Sequence, residues 1–180
     1  YFLLMFLLRG MPFIDLAHLR KRDMQDGRIT YSRHKTDKPI TVRIPREALV
    51  LIAKYADRHS ASPYLFPILD ARIRDGWQSY RNYQDALRHF NRKLGQVMSR
   101  LLPGVRVSSY TARHTWATLA FHSGQPVGII SQALGHSSLR VTETYLKPFG
   151  NELVDKANRQ LIASVRKCKW KNETGYRAGL

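Results

Sequence analysis

The chain has 180 residues, enough for one ordinary domain with its own core, and 43% of them are apolar, which excludes a disordered tail. Lys and Arg number 30 against 13 Asp and Glu, a formal charge of +17 that calls for a polyanionic partner, nucleic acid before a membrane surface. The single cysteine, Cys168, excludes an intrachain disulfide and a cysteine-built zinc finger and suits a reducing compartment.

In chain order, residues 1–8 are an apolar run far too short to span a bilayer. The run lacks the flanks of a secretory signal, so it reads as the end of a buried helix. Gly10 and Pro12 punctuate a tight helix-to-helix turn. Phe13, Ile14, Leu16, Ala17 and Leu19 then form one apolar helix face. Ile29 and Tyr31 alternate with polar neighbours over 28–35, and Ile40, Val42 and Ile44 alternate again after a turn at 36–39. That pattern predicts a β-hairpin or small meander with Lys35 at its tip. A helix is expected over 46–59, with Ala48, Leu49, Leu51, Ile52 and Tyr55 inward, followed by an extended Tyr64-Leu65-Phe66 between Pro63 and Pro67. A long basic helix over 79–101 ends at Leu102-Pro103-Gly104. Three helices follow over 111–123, 126–134 and 138–146, with breaks at Gly124 and Gly135-His136. A last helix spans 151–165, and the tail 166–180 is basic and polar. The expected fold is α+β and mostly α, with one small antiparallel β-sheet: a domain over 1–165, then the tail.

The densest block of chemistry is Tyr110-Thr111-Ala112-Arg113-His114, then Leu134-Gly135-His136, then Tyr145 nine positions beyond His136. Here the chain resembles the tyrosine site-specific recombinase (phage integrase) family, over roughly residues 3–163. That family carries an H-x-x-R-H motif, then L-G-H, then a tyrosine nine residues after that histidine. The resemblance implies a helical catalytic domain that breaks and rejoins DNA. Such chemistry needs a protein nucleophile to conserve the phosphodiester's energy. It also needs fixed cations and donors for the charge that builds on phosphoryl oxygens. Arginine, with its planar fork and permanent charge, suits that task. The leaving 5′ oxygen needs a proton, which a lysine can give. No metal and no cofactor is called for.

By resemblance, Tyr145 is the nucleophile, Arg113 clamps the scissile phosphate, His136 donates to a phosphoryl oxygen, and the hairpin Lys35 is the general acid, with Lys38 close by. His114 is expected to be a buried, hydrogen-bonded structural histidine. Asp15 is expected to orient Arg113 or Arg9, or simply to sit at a helix start.

Two positions depart from the family pattern. Tyr110 replaces the leading histidine; a phenol can donate to phosphate but is a poor proton acceptor at neutral pH. In the triplet Gly10-Met11-Pro12, Pro12 stands where the family's first arginine is placed, and Arg9 is the expected replacement from across the turn. The clusters Arg20, Lys21, Arg22 and Arg72, Arg74, Arg81, Arg88, Arg92, Lys93 read as phosphate contacts.

The resemblance further implies double-stranded DNA as partner, self-association into a tetramer on DNA, a host accessory DNA-bending protein, no membrane, and a bacterial cytoplasm near the nucleoid. A separate DNA-gripping domain is expected to precede Tyr1. The tail 166–180 would pack on a neighbouring protomer or be mobile. Three other readings remain open: a helix-turn-helix regulator built on 125–145, a degenerate recombinase that binds without cutting, and a type IB topoisomerase.

Overall fold

The computed structural model describes residues 1–146 and 150–174, with 164–174 as backbone alone. It separates into two compact units, Tyr1–Leu146 and Lys147–Leu180.

The first unit opens with two short helices, α1 (Phe2–Leu7) and α2 (Phe13–His18), joined by the turn predicted at Gly10 and Pro12. Strands β1 (Met24–Gln25), β2 (Arg28–Ser32) and β3 (Pro39–Arg43) form an antiparallel sheet in that order. The register pairs Ile29 with Val42 and Tyr31 with Ile40. Alternation therefore sends all four side chains to the same buried face. They pack there with Leu4, Leu8, Leu16, Leu19, Leu65 and Phe66 in the main core. The expected extended piece is present too: Tyr64 bridges Arg20 antiparallel.

Helix α3 (Arg46–Tyr55) stops four residues short of the sequence-based expectation, because Ala56 turns to an extended conformation. Its buried face is narrower than expected. Ala48 and Ile52, one turn apart, are inward, whereas Leu49 and Tyr55 are 39% and 44% exposed. In this ten-residue helix, only an i, i+4 stripe is fully buried, with Leu51 partly buried beside it. Tyr55 instead meets the edge of the Tyr1 ring. Helix α4 (Gly76–Leu101) begins three residues earlier than expected. The Asp75 carboxylate caps it by accepting from the Gln78 backbone N–H at 2.8 Å.

Helices α5 (Ser109–His122) and α6 (Val127–Leu134) build a smaller core on Ala117, Ile130 and Leu134, flanked by Trp116, Phe121 and Tyr145. Helix α7 (Leu139–Glu143) is shorter than the expected 138–146. Beyond it the backbone tightens: Tyr145 N–H donates to the Thr142 carbonyl and Leu146 N–H to that of Glu143. Tyr145 thus sits in a turn and not on a helix.

The second unit is described by α8 (Asn151–Thr174), which runs nine residues past the expected end at 165 and takes up most of the expected tail. Residues 175–180, the rest of that tail, lie outside the described residues. Among the described residues no helix is long and apolar enough to cross a membrane.

Candidate active site

Three loops and one helix face converge on a buried guanidinium. Arg113 lies in the second turn of α5 and is 2% exposed. Its Nη1 donates to the Gly10 carbonyl at 2.9 Å, and its Nη2 to the Leu134 carbonyl at 2.6 Å. Nη2 also donates to Nε2 of His136 at 2.9 Å. Gly10 and Gly135 explain how two turns come so close. Both hold a left-handed backbone, φ +66° and +65°. A Cβ on Gly10 would lie 3.1 Å from the Arg113 Cα; one on Gly135 would lie 2.5 Å from the Ile40 Cδ1.

The contacts of His136 assign its tautomer. A guanidinium can only donate, so Nε2 accepts, and the proton sits on Nδ1. Nδ1–H then donates to the Thr142 hydroxyl at 2.8 Å. Burial, then the cations Arg113, Arg33 and Lys35, lower the imidazole pKa to about 4. In this arrangement Nε2 has no proton to give. The expected donation from His136 to a phosphoryl oxygen therefore requires protonation, which an anion placed among these cations would favour.

Tyr145 completes the cluster. Its ring stacks on His114, centroids 4.4 Å apart, and tilts against His136 at 5.1 Å. The Arg113 guanidinium carbon lies 5.9 Å from the centre of the same ring. Burial, then Arg33, lowers the pKa of Arg113, and the nearby Tyr145 hydroxyl opposes them. The Tyr145 carbonyl accepts from the Thr118 hydroxyl at 3.2 Å, which ties the turn to α5. His114 is not the buried structural histidine expected. It is exposed and provides a stacking face for Tyr145, because it follows Arg113 by one residue and so points about 100° round the helix.

Lys35 is exposed in the hairpin turn, as the alternation predicts. With Pro12, Arg33, His34, Ser109 and Tyr110 it borders a cleft of about 360 Å³. Tyr110 is half exposed, and its ring leans on that of His114. Lys38 turns to the other flank and donates to the His136 carbonyl at 3.4 Å. Lys35, Tyr110, Arg113, His136 and Tyr145 are thus gathered around one site. Arg9 is not gathered with them. Its Nη1 donates to the Thr41 carbonyl on β3 at 3.5 Å, since a left-handed residue at φ 60° turns the side chain toward the sheet.

The sequence reading passed over Arg33. It is 4% exposed and donates through Nη1 to the carbonyls of Leu134, at 2.7 Å, and Gly135, at 3.1 Å. Asp15 belongs to it and not to Arg113 or Arg9: the two pair at 3.7 Å, and the other Asp15 oxygen accepts from the His34 N–H at 3.0 Å. A signal existed in the sequence. The alternation that buries Ile29 and Tyr31 puts residue 33 on the same face.

A profile of the phage integrase family matches residues 1–152. The chain belongs to that family. Tyrosine recombinase XerA of Pyrococcus furiosus is 28% identical over 153 residues, which cover 83% of this chain and 50% of the relative. The XerA of Thermococcus kodakarensis is 29% identical, covering 77% and 46%. The chain therefore spans about half the length of these relatives. Among solved structures, the fold resembles a crystal structure of XerA recombinase, with TM-score 0.63, 21% identity and coverage of 87% of this chain and 55% of that one. It also resembles XerH site-specific recombinase in a post-cleavage complex with its palindromic difH substrate, with TM-score 0.62, 17% identity and coverage of 87% and 43%. The helical fold with one small antiparallel sheet is thus that of the phage integrase family's recombinases.

Proposed function

We propose that this chain is the catalytic region of a site-specific DNA recombinase that cuts and rejoins strands through a 3′-phosphotyrosyl intermediate. The observation that carries this reading is Tyr145 laid against His136 and over the buried Arg113 guanidinium. A phenol held beside a fixed cation is placed both to attack phosphorus and to have its product's charge met. The Tyr145 oxygen forms a bond to phosphorus as the bond to the 5′ oxygen breaks. The phenol's proton passes to solvent, and Lys35, from the hairpin turn, gives one to the 5′ oxygen. Arg113 holds a nonbridging oxygen, and His136, protonated in the presence of that anion, holds another. Tyr110 supplies a hydroxyl donor at the cleft's rim. The reverse reaction, attack by another 5′ hydroxyl, reseals the strand.

Double-stranded DNA is the partner that +17 formal charges call for. Assembly into a tetramer on two DNA sites, aided by an accessory DNA-bending protein, follows from the family reading. Helix α8 supports it, since Val154 and Ile162, about two turns apart, are exposed on one side. The setting is the compartment that holds the chromosome.

The test is covalent capture. The protein and Tyr145→Phe are mixed with nicked duplexes taken from the DNA flanking the gene, then denatured with detergent. An adduct with the parent alone, at equal DNA affinity for both, supports the reading. Tight binding without an adduct would favour a degenerate, binding-only protein, and loss of binding in Tyr145→Phe would favour a regulator.

A further inference from the structure

The cleft at Pro12 borders a second buried guanidinium whose surroundings the family pattern does not explain. Arg33 and Arg113 donate to the same carbonyl oxygen, that of Leu134, at 2.7 and 2.6 Å. Two permanent cations brought to one oxygen repel, and burial strips each of water. Among the described residues the carboxylate paired with either is Asp15 alone, at 3.7 Å from Arg33. Two buried positive charges against one negative leave an excess of one, with Lys35 at the same cleft and Lys38 on the far side of His136. A buried pocket with that balance is built for an anion.

We propose that Arg33, reaching in from the β2–β3 hairpin, is the second phosphate-holding arginine of this site and takes the role vacated at Pro12. The inference rests on the recombinase reading above and deepens it. Pro12 and Arg33 line the same cleft, together with Lys35 and Tyr110. A guanidinium lost from the start of α2 is thereby supplied from the hairpin. Asp15, on α2, fixes the hairpin from beneath: one oxygen holds the His34 N–H and the other faces the Arg33 Nε. Gly135 gives the side chain its passage, since a Cβ there would lie 3.2 Å from the Arg33 Cδ. Arg9, held on the Thr41 carbonyl, has no comparable position. Arg33 forms no covalent bond in this role. It shares one nonbridging oxygen with His136 while Arg113 meets the other, and the fork of each guanidinium fixes the phosphorus between them.

The experiment reads charge and not merely loss. Nicked duplexes are prepared with an ordinary phosphate, or with a neutral methylphosphonate, at the cleavage position. Adduct formation is measured for the parent, Arg33→Ala, Arg33→Lys and Arg9→Ala. On phosphate, Arg33→Ala is expected to lose about 100-fold or more, the scale of removing one preorganised donor to a transition-state oxyanion. On methylphosphonate the same variant is expected within about 10-fold of the parent, because one of the two charges to be met has gone. Arg33→Lys keeps a charge without the fork and should fall between. Comparing two substrates within one variant cancels any loss of folded protein, and Arg33→Lys carries the test if Arg33→Ala does not fold. Equal loss on both substrates would mean that Arg33 only props the fold, and no loss on phosphate would make it idle. A loss in Arg9→Ala that methylphosphonate restores would move the role to Arg9. Each of these overturns the assignment while leaving the recombinase reading intact. A parent that forms no adduct on either substrate overturns both.

Discussion

Two basic regions of this molecule are made of the same residue type and obey different physics. Around Leu134 and Gly135, Arg113 and Arg33 are buried and held by carbonyls at 2.6 to 3.1 Å. Along α4, Arg81, Arg88, Arg92 and Lys93 are exposed on a helix with no fully buried residue. A cation in the first region cannot relax, so its position is part of the chemistry, and its electrostatic effect is strengthened by the lack of water. A cation in the second is hydrated and screened, so it contributes to affinity alone. Net charge counts both alike. The difference between them can be sharpened by substitutions ordered from the inside outward.

The largest effect is expected at Arg113. Arg113→Lys keeps the charge but cannot reach the Gly10 carbonyl, the Leu134 carbonyl and His136 Nε2 at once. Adduct formation should drop by about 100- to 1,000-fold. Chemical denaturation should show a loss of roughly 2–4 kcal/mol, the scale of breaking a buried hydrogen-bonded charge. Unchanged cleavage in Arg113→Lys would mean that the buried guanidinium is only a strut between two turns.

Next comes Gly135→Ala, which tests how tightly the buried arginines are packed. The new Cβ meets the Ile40 Cδ1 at 2.5 Å and the Arg33 Cδ at 3.2 Å, at a φ of +65°. We expect a destabilisation of about 1–3 kcal/mol. Gly27→Ala is the reference, since Gly27 has the same backbone hand, φ +70°, and nothing within 4 Å of its Cβ. It should lose only about 1 kcal/mol through backbone strain. The gap between the two urea midpoints measures the crowding. If they coincide, the close approach of the Gly135 turn to Arg33 and Ile40 is not energetically tight.

Much of this pocket can be read from the chain, and the part that cannot has an identifiable cause. Helices, hairpin and turns follow from apolar periodicity and from Gly and Pro, which act over a few neighbouring residues. Arg113, His136 and Tyr145 follow from spacing along the family motifs. The partners do not. The carbonyl of Gly10 serves Arg113, more than a hundred positions away, and Leu134 serves Arg33 across a similar span. No local pattern encodes a backbone oxygen's use. Arg9 looked right because it is near Pro12 in sequence, but a single left-handed residue turned it toward Thr41. Arg33 was legible through strand alternation, which places it inward; its charge argued for the surface, and only Asp15 and the two carbonyls reverse that argument. His114 shows the opposite error, an exposed ring expected to be buried.

A smaller effect is expected from acid, through His136. Its folded pKa lies near 4, below the ordinary value of about 6.5 kept by an unfolded chain. Above that ordinary value neither state binds the proton, and the contribution to stability is complete. As pH falls toward 4, the unfolded chain takes up a proton that the folded one refuses, so stability is lost. His18, chiefly by burial, and His114, by partial desolvation of its stacked ring, are shifted in the same direction and add to the slope. The contribution of His136 is therefore read as a difference: urea midpoints at about pH 7.5 and about pH 5 should approach each other in His136→Asn relative to the parent. An identical slope in both proteins would mean that His136 is protonated in the folded state and that the assigned tautomer is wrong.

The smallest effect for any single residue belongs to α4, and it has a different signature. Arg81, Arg88 and Arg92 recur at seven and four positions along one side, a spacing that can follow a phosphate backbone. Arg88 is engaged by Asp85, whereas among the described residues Arg92 has a side-chain hydrogen bond to the His89 ring alone, at 3.3 Å. Arg92 is thus the better probe of the two, since releasing it does not also strand a carboxylate. Arg92→Ala should weaken DNA binding by a few-fold and lower the slope of log affinity against log salt by about one. At saturating DNA its rate of adduct formation should match the parent, because a phosphate contact on the helix positions the duplex without touching the reacting phosphorus. A variant that binds normally but cuts slowly would break the division drawn above. It would mean that α4 reaches the scissile phosphate, and that exposure is the wrong guide to which of these cations take part in the chemistry.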